Sequence, residues 1–278
     1  MQNYSKVRNW VEDLPKMGKS SFSIADAKEQ FPDMPFYNIK NGLYRLTKTG
    51  KINSVWHGFY TISLPEYGLS GIAPPSEYIG QLMKYIGAHY YVGLLSAAAI
   101  QGAAHQSPQV YQVVCEKHLR EKKSHGVKLE MIAKKLIQNS YLIEKNVNSG
   151  VIMVSSPELT AIDLLLYPNR AGGISHIATI LSELAENLDY TKIEKSFFYG
   201  IPTSTIQRLG FILDEVLEEK NVSDILFDKA KTFGLTFRKN PLVHSSNMKK
   251  HVASSNKNLF QYSKKWKIEI NSDVEPDI

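Results

Sequence analysis

The clearest alternation of apolar and polar residues along the chain lies between Pro35 and Gly50. At about 100° per residue, a helix here places Ile39, Leu43 and Leu46 within about 60° of one another on one side. The opposite side carries two cations, an amide and two phenols but no carboxylate: Tyr37, Asn41, Tyr44, Arg45 and Lys48. A polar face without acids suits a polyanion whose edges carry sequence information, such as duplex DNA. An ordinary solvated helix surface is the simpler alternative.

The segments before this helix predict the rest of a helix-turn-helix. Apolar residues at helical spacing predict a first helix over residues 4–14. Ser23 is the predicted N-cap of a second, short helix over residues 24–31. Pro32 and Asp33 then form the turn into the third helix. The second and third helices together predict a helix-turn-helix, in which the third helix enters the major groove.

Two β-prone runs follow, at residues 52–56 and 59–62, and they meet at His57 and Gly58. They predict a two-stranded wing, which completes a winged helix-turn-helix over residues 22–62. Four residues of the wing region are expected to reach the DNA backbone or the minor groove: Lys51, Asn53, Ser54 and His57.

The predicted DNA contacts divide by chemistry. Arg45 and Asn41 are expected to contact bases, because guanidinium groups pair with guanine and amides with adenine. Phenols and ammonium groups are expected to bind phosphates and set the register. The predicted DNA-binding residues are Tyr37, Asn38, Lys40, Asn41, Tyr44, Arg45, Lys48, Lys51 and His57.

The remainder of the chain predicts a larger domain. A Pro- and Gly-rich linker, residues 67–75, separates a DNA-binding domain of residues 1–66 from a domain of residues 76–278. In the second domain two helices precede a group of strands between residues 109 and 155, and further helices follow. The expected fold class is therefore α+β, with an N-terminal winged helix-turn-helix followed by a larger mixed α/β domain.

The composition indicates a folded, mildly basic protein. Hydrophobic residues make up 43% and charged residues 22% of the chain, and the formal net charge is +6. The single cysteine, Cys115, excludes an internal disulfide and lies in an apolar run typical of a core. No apolar stretch reaches membrane-spanning length and no signal peptide is visible, so a cytoplasmic protein without a membrane partner is expected.

Enzyme signatures are missing from the sequence. It contains neither of the glycine-rich nucleotide-binding motifs, GxxxxGK[ST] and GxGxxG. Its eight His are scattered, and none lies at the spacing of zinc ligands. Gly172 and Gly173 precede a predicted helix and could hold a phosphate, although a plain turn is simpler. The alternative function, a nuclease targeted by the N-terminal module, requires converging carboxylates, and replacing Glu130 or Asp163 would abolish its cutting. Because no spacing among the carboxylates is distinctive, we expect no catalytic residue, metal or cofactor.

Two further basic stretches are candidates for contact with a polyanion. Residues 117–128 have five Lys or Arg and one Glu, and they are predicted to form a loop between two strands. Residues 229–268 have ten Lys or Arg, no acid and five interleaved aromatic residues. That composition suits nucleic acid, whereas a solvated surface with aromatic core anchors is the alternative. The cations of residues 117–128 form a possible second basic patch, the first being the polar face of the helix that begins after Pro35. They are Lys117, Arg120, Lys122, Lys123 and Lys128.

Three stretches carry a resemblance to a known family: YYVGLLSAAAIQGAAHQSP at residues 90–108, VSSPELTAIDLL at 154–165 and the module at 22–62. In order and spacing they resemble the AbiEi family, the antitoxins of type IV toxin–antitoxin systems of the abortive-infection kind. The resemblance implies a winged helix-turn-helix that binds inverted repeats in the protein's own promoter and represses the operon. It also implies a C-terminal domain that counters a nucleotidyltransferase-like toxin without a stable complex. A third hypothesis, an adaptor that uses the module for protein contact, predicts no salt-dependent DNA binding.

Overall fold

The protein is a mixed α+β protein, seen in a computed structural model that describes residues 2–68, 71–103, 108–124, 127–244 and 261–277. The chain divides into two compact units. The first consists of residues 1–92, 109–137 and 143–154, and the second of residues 93–108, 138–142 and 155–278. The predicted N-terminal module thus shares the first unit with later segments, and the functional division at residues 67–75 stays a prediction.

Helices and strands alternate along the described ranges. The helices are α1 (Gln2–Asp13), α2 (Ile24–Gln30), α3 (Phe36–Lys48), α4 (Ile79–Ile86), α5 (Leu94–Ile100), α6 (Pro157–Leu166), α7 (Ile174–Leu184), α8 (Thr203–Phe211) and α9 (Lys220–Thr232). The strands are β1 (Ser21–Ser23), β2 (Ile52–Trp56), β3 (Phe59–Ile62), β4 (Tyr90–Val92), β5 (Val110–Cys115), β6 (Lys122–Ser124), β7 (Val127–Ala133), β8 (Leu142–Val147), β9 (Gly150–Ser155), β10 (Asn240–Pro241), β11 (Gln261–Ser263) and β12 (Ile268–Ile270).

The N-terminal part of the first unit packs α1, α2 and α3 with an antiparallel sheet in the order β1-β3-β2. Ser23 caps α2 as predicted: its Oγ accepts a hydrogen bond from the Asp26 N–H at 3.1 Å, and the Asp26 carboxylate accepts one from the Ser23 N–H at 2.7 Å. This reciprocal pair satisfies two donors at the helix start. The predicted helices and both predicted strands are confirmed. Strand β1 was not predicted, because three residues are too few to show an alternating pattern.

The first unit also contains a mixed sheet in the order β6-β7-β5-β4-β9-β8. Strands β5 and β7 are parallel, and so are β4 and β9, whereas β4 and β5 are antiparallel. The prediction that residues 117–128 form a loop is wrong for residues 122–124, which pair antiparallel with β7 as the edge strand β6. A lysine-rich segment is suited to this position, since charge on an edge strand discourages pairing with another chain.

The second unit is mostly helical. Ser156 caps α6, and its Oγ accepts from the Leu159 N–H at 3.3 Å, with Pro157 in the first turn as the sequence predicted. A small sheet in the order β10-β12-β11 covers α8 through Trp266, which is fully buried. At Gly210 a Cβ would lie 2.1 Å from the Trp266 ring, so only glycine fits at this contact. None of the helices in the described ranges combines the length and the apolar character needed to cross a membrane.

Candidate functional site

Helix α3 is amphipathic in the orientation that the sequence predicted. Ile39, Leu43 and Leu46 are at most 1% exposed and pack in a core with Val7 and Val11 of α1. A side chain at Gly42 would place its Cβ 3.2 Å from Val7, so the glycine lets the two helices approach closely. Burial of the apolar stripe fixes the rotation of α3, and with it the face that α3 presents to solvent.

The opposite face of α3 is accessible. Tyr37 is 73% and Tyr44 62% exposed, so both phenol rings are open to solvent on this face. Asn38 and Asn41 are half-buried beside them. The basic side chains that the sequence singled out are all exposed: Lys40, Arg45, Lys48, Lys51 and His57.

Aromatic rings, rather than carboxylates, hold the cations of α3. The Lys48 ammonium lies 5.6 Å from the centre of the Tyr44 ring, and the Arg45 guanidinium lies 5.6 Å from that of Tyr4 in α1. The Lys40 ammonium lies 4.6 Å from the ring of Phe36. Within the described residues none of these three cations forms an ion pair. Cation–π contacts restrict the side chains without neutralising them, so their charge stays available to an anion.

Lys51 differs from the other predicted phosphate contacts, because it is ion-paired. Its ammonium lies 2.6 Å from the Glu12 carboxylate, and Arg8 approaches the same carboxylate at 3.9 Å. The hydrogen bond from Lys51 lowers the pKa of Glu12, so the acid is charged at neutral pH. Glu12 is an acid beside the candidate surface that the sequence did not reveal. Thirty-nine residues separate it from Lys51, so no local pattern connects the two.

The wing region fulfils the prediction only in part. Asn53 was predicted to reach DNA, and this is wrong: it is 5% exposed, and its amide donates to Ser63 Oγ at 2.9 Å. Successive residues of a strand face opposite sides, yet Ile52 and Asn53 are both buried, so β2 is covered on both faces at this end. The His57 side chain is exposed, but its carbonyl accepts a hydrogen bond from the Tyr85 hydroxyl of α4 at 3.4 Å. The tip of the wing is therefore fixed by α4.

The second basic patch is partly engaged with its surroundings. Lys117 donates to a main-chain carbonyl at the end of α4 at 2.9 Å, and Lys128 pairs with Glu121 at 3.0 Å. The side chains of Lys122 and Lys123 lie outside the described part of the structure, although their backbone belongs to β6. Contact of this patch with a polyanion stays a prediction.

The acid-free stretch that begins at residue 229 has a structural explanation where the structure describes it. Trp266 is a core residue, and Lys265 pairs with Asp214 at 2.6 Å and also with Asp224. The aromatic ring and the cation thus anchor the small sheet to α8 and α9, as the core-anchor alternative predicted. Residues 245–260, which include three of the ten cations, lie outside the described residues.

The carboxylates of the nuclease alternative do not form a metal centre in the described residues. No three His, Cys, Asp or Glu side chains come together there. Glu130 accepts a hydrogen bond from Gln112 at 2.9 Å, and Asp163 is fully buried within α6. Both positions fit a structural role for these acids.

Comparison with solved structures shows a related fold. The chain is similar to the RV2827C protein from Mycobacterium tuberculosis, with a TM-score of 0.65 and 14% identity, over 93% of this chain and 88% of that one. At this identity the likeness concerns the fold alone. An antigenic nucleotidyltransferase-like protein from Paracoccidioides brasiliensis gives a TM-score of 0.36 and 12% identity, over 54% of this chain and 89% of that one. That score is too low to carry an argument. No curated protein gave a significant match.

The family comparison concerns the middle of the chain. Residues 91–215 match the model of the AbiEi antitoxin C-terminal domain. The matched range runs from β4 through α8 and includes two of the three stretches on which the resemblance was based. The family match therefore confirms the resemblance over residues 91–215 of the chain.

Proposed function

We propose that this protein is a DNA-binding transcriptional autorepressor and the antitoxin of a type IV toxin–antitoxin system. The AbiEi domain supports a toxin–antitoxin role. In front of that domain, the order of α2, α3, β2 and β3 is the order of a winged helix-turn-helix. The observation that carries the DNA-binding part is the exposed face of α3, with its unpaired cations and phenols.

The proposed contacts follow from the chemistry of that face. Arg45 and Asn41 contact base edges in the major groove, where guanidinium and amide groups distinguish guanine and adenine. Tyr37, Lys40 and Lys48 bind phosphates and fix the register, and Lys51 joins them when it leaves Glu12. The remaining members of the proposed DNA-binding set are Asn38, Tyr44 and His57.

The division of labour along the chain is part of the proposal. Residues 1–66 bind inverted repeats in duplex DNA of the protein's own promoter. Residues 76–278 counter a nucleotidyltransferase-like toxin without a stable complex, as the family resemblance implies. Repression and neutralisation then rest on different surfaces, and a substitution in α3 should separate them.

The test of DNA binding is a footprint on the DNA upstream of the protein's own gene, followed by fluorescence anisotropy with that site and with a scrambled duplex. Wild-type protein should protect the site and prefer it to the scrambled duplex. Arg45→Ala should lose most of this preference. Lys16→Ala is the matched control, because Lys16 is an exposed cation of the same unit whose partner is Asp13. Equal binding of the two duplexes by wild type would contradict the repressor proposal.

The test of the antitoxin role uses the same variant in cells. Co-expression with the neighbouring toxin gene should restore growth with wild type and equally with Arg45→Ala. Repression of a reporter behind the upstream DNA should be lost only with Arg45→Ala. If the wild-type chain does not restore growth, the antitoxin part of the proposal is wrong, whatever the footprint shows.

A further inference from the structure

We infer that the second unit binds the phosphate group of a small molecule in a cavity at the start of α7. The cavity has a volume of about 330 Å³. Its lining includes Gly173 and Ser175 at the start of α7, Arg208 of α8, and His244. Arg208 has a full positive charge and the start of α7 a partial one, and both border the same cavity. Nothing in the proposed repressor or antitoxin function requires this cavity.

Arg208 is the strongest indication of an anion. It is 7% exposed, yet no carboxylate pairs with it in the described residues. Its Nε and Nη2 donate to the Pro241 carbonyl at 3.2 and 3.0 Å, and Nη2 lies 3.1 Å from His244 Nε2. Burial lowers the pKa of Arg208. Residues 245–260, outside the description, contain no Asp or Glu in the sequence.

A buried guanidinium without a counter-ion is costly, since its charge has left water and has only neutral partners. A bound anion would remove that cost. The guanidinium Nη1 makes no hydrogen bond within the described residues, and Arg208 is one of the residues that line the cavity. Guanidinium groups bind phosphate through parallel N–H donors, so the group is suited to such a ligand.

The start of α7 supplies a second, independent set of donors. Helix α7 is 11 residues long, and its N-cap, Gly173, offers no side chain to the first turn. The first N–H groups of a helix lack partners within the helix, and its N-terminus attracts anions. At Gly173, where φ is 93°, a Cβ would meet nothing within 4 Å, so the space in front of the helix is open. Ser175 Oγ accepts a weak bond from the Glu275 N–H at 3.4 Å, and the Glu275 side chain is exposed.

The rest of the lining indicates what kind of molecule the phosphate group belongs to. Leu165, Ile174 and Leu242 contribute an apolar wall, and Asn169 and Ser272 contribute polar atoms. The volume is at the small end of the range of ligand pockets and exceeds the needs of inorganic phosphate. A phosphorylated metabolite about as large as a nucleoside monophosphate fits this combination. His244 and Ser272 lie beyond the residues that match the family model.

The test uses the full-length protein and calorimetric titration with inorganic phosphate, AMP and adenosine, and with a short oligonucleotide that carries a 5′-phosphate. We expect binding of phosphate, tighter binding of AMP, and none of adenosine. Adenosine binding as tightly as AMP would show that the cavity does not recognise phosphate. Binding of the oligonucleotide alone would assign the site to a nucleic-acid end rather than to a small molecule, and would overturn the inference.

Two matched variants locate the site. Ser175→Asp places a carboxylate at the second position of α7, where acids stabilise helices, so the fold should persist while the new charge repels phosphate. Asn221→Asp adds the same charge at the second position of α9 and borders no part of the cavity. AMP affinity should fall at least about tenfold in the first and stay within about twofold in the second. Equal affinities in the two variants, or no phosphate binding by wild type at millimolar concentrations, would overturn the inference.

Discussion

The Lys51 ammonium lies 2.6 Å from the Glu12 carboxylate, and this ion pair ties the chain in front of β2 to α1. The two side chains are 50% and 42% exposed, and ion pairs in such positions contribute little to stability. The pair matters more for the proposed DNA surface. The ion pair engages Lys51, which is a predicted phosphate contact, and Glu12 adds a negative charge near the candidate surface.

Replacing Glu12 should therefore strengthen DNA binding. Glu12→Gln frees Lys51 and removes a carboxylate that repels phosphates. We expect tighter binding to both the upstream site and scrambled DNA, and a salt dependence steeper by about one phosphate contact. Fluorescence anisotropy over a series of salt concentrations measures both quantities. Asp13→Asn, which releases Lys16 instead, is the control. Unchanged affinity and slope in Glu12→Gln would remove Lys51 from the contact set.

Lys48 and Arg45 should differ in the kind of binding that they provide. Lys48→Ala should weaken specific and scrambled DNA alike and reduce the salt slope by about 0.9, as expected for one lost phosphate contact. Arg45→Ala should cost about 1–3 kcal/mol with the specific site and relax the requirement at one base pair. The measurement is a set of operator variants titrated with each protein. A loss of sequence preference in Lys48→Ala, with preference kept in Arg45→Ala, would reverse the proposed roles.

Local patterns in the sequence were enough to predict the N-terminal elements. Ser23, Pro32 and the stripe of Ile39, Leu43 and Leu46 act within a few residues of their own positions, so each could be interpreted alone. The exposure of the α3 cations could also be predicted from this stripe. Burial of the stripe determines which side of the helix faces solvent.

What the sequence did not show depends on contacts between distant segments. The Lys51–Glu12 pair joins residues 39 positions apart, and Tyr85 reaches the His57 carbonyl from 28 positions away. Asn53 was misplaced because the pattern of β2 does not tell which of its faces the rest of the unit will cover. The sequence likewise showed no sign that Arg208 and His244 would meet in the cavity, because they are 36 positions apart.

The contact between α1 and α3 gives a prediction about stability. Gly42→Ala would place a methyl group 3.2 Å from Val7, a β-branched, fully buried side chain that cannot move aside. Overpacking should outweigh the helix propensity that alanine adds, for a net loss of about 1 kcal/mol. A Val7→Ala background removes the two Cγ contacts but keeps the Cβ contact at 3.2 Å, so the same change should cost less stability there than in wild type. Urea unfolding of the four proteins provides the cycle. The same effect in both backgrounds would mean that the helices are not in close contact.

The Asp214 carboxylate gives the prediction about pH. Partial burial alone would raise the pKa of Asp214, but hydrogen bonds from Lys265 at 2.6 Å and Trp266 Nε1 at 2.9 Å outweigh it, and the pKa lies below the ordinary value of 3.8. The folded state therefore binds this proton less tightly than the unfolded state does. The stabilisation is complete above pH 3.8 and is lost as the pH falls through the lower, folded-state value.

Asp214→Asn should remove this dependence on pH, because the amide cannot titrate. At neutral pH the variant should lose about 1–3 kcal/mol of stability, since the bonds to a charged acceptor are replaced by weaker ones. Asp228→Asn is the matched control, an exposed acid on α9. The measurement is the free energy of unfolding by urea at neutral and acid pH, followed by the fluorescence of Trp266 in a background in which Trp10 and Trp56 are replaced by Phe. If Asp214→Asn and wild type lose stability equally on acidification, Asp214 does not anchor Trp266 in the way that the hydrogen bonds indicate.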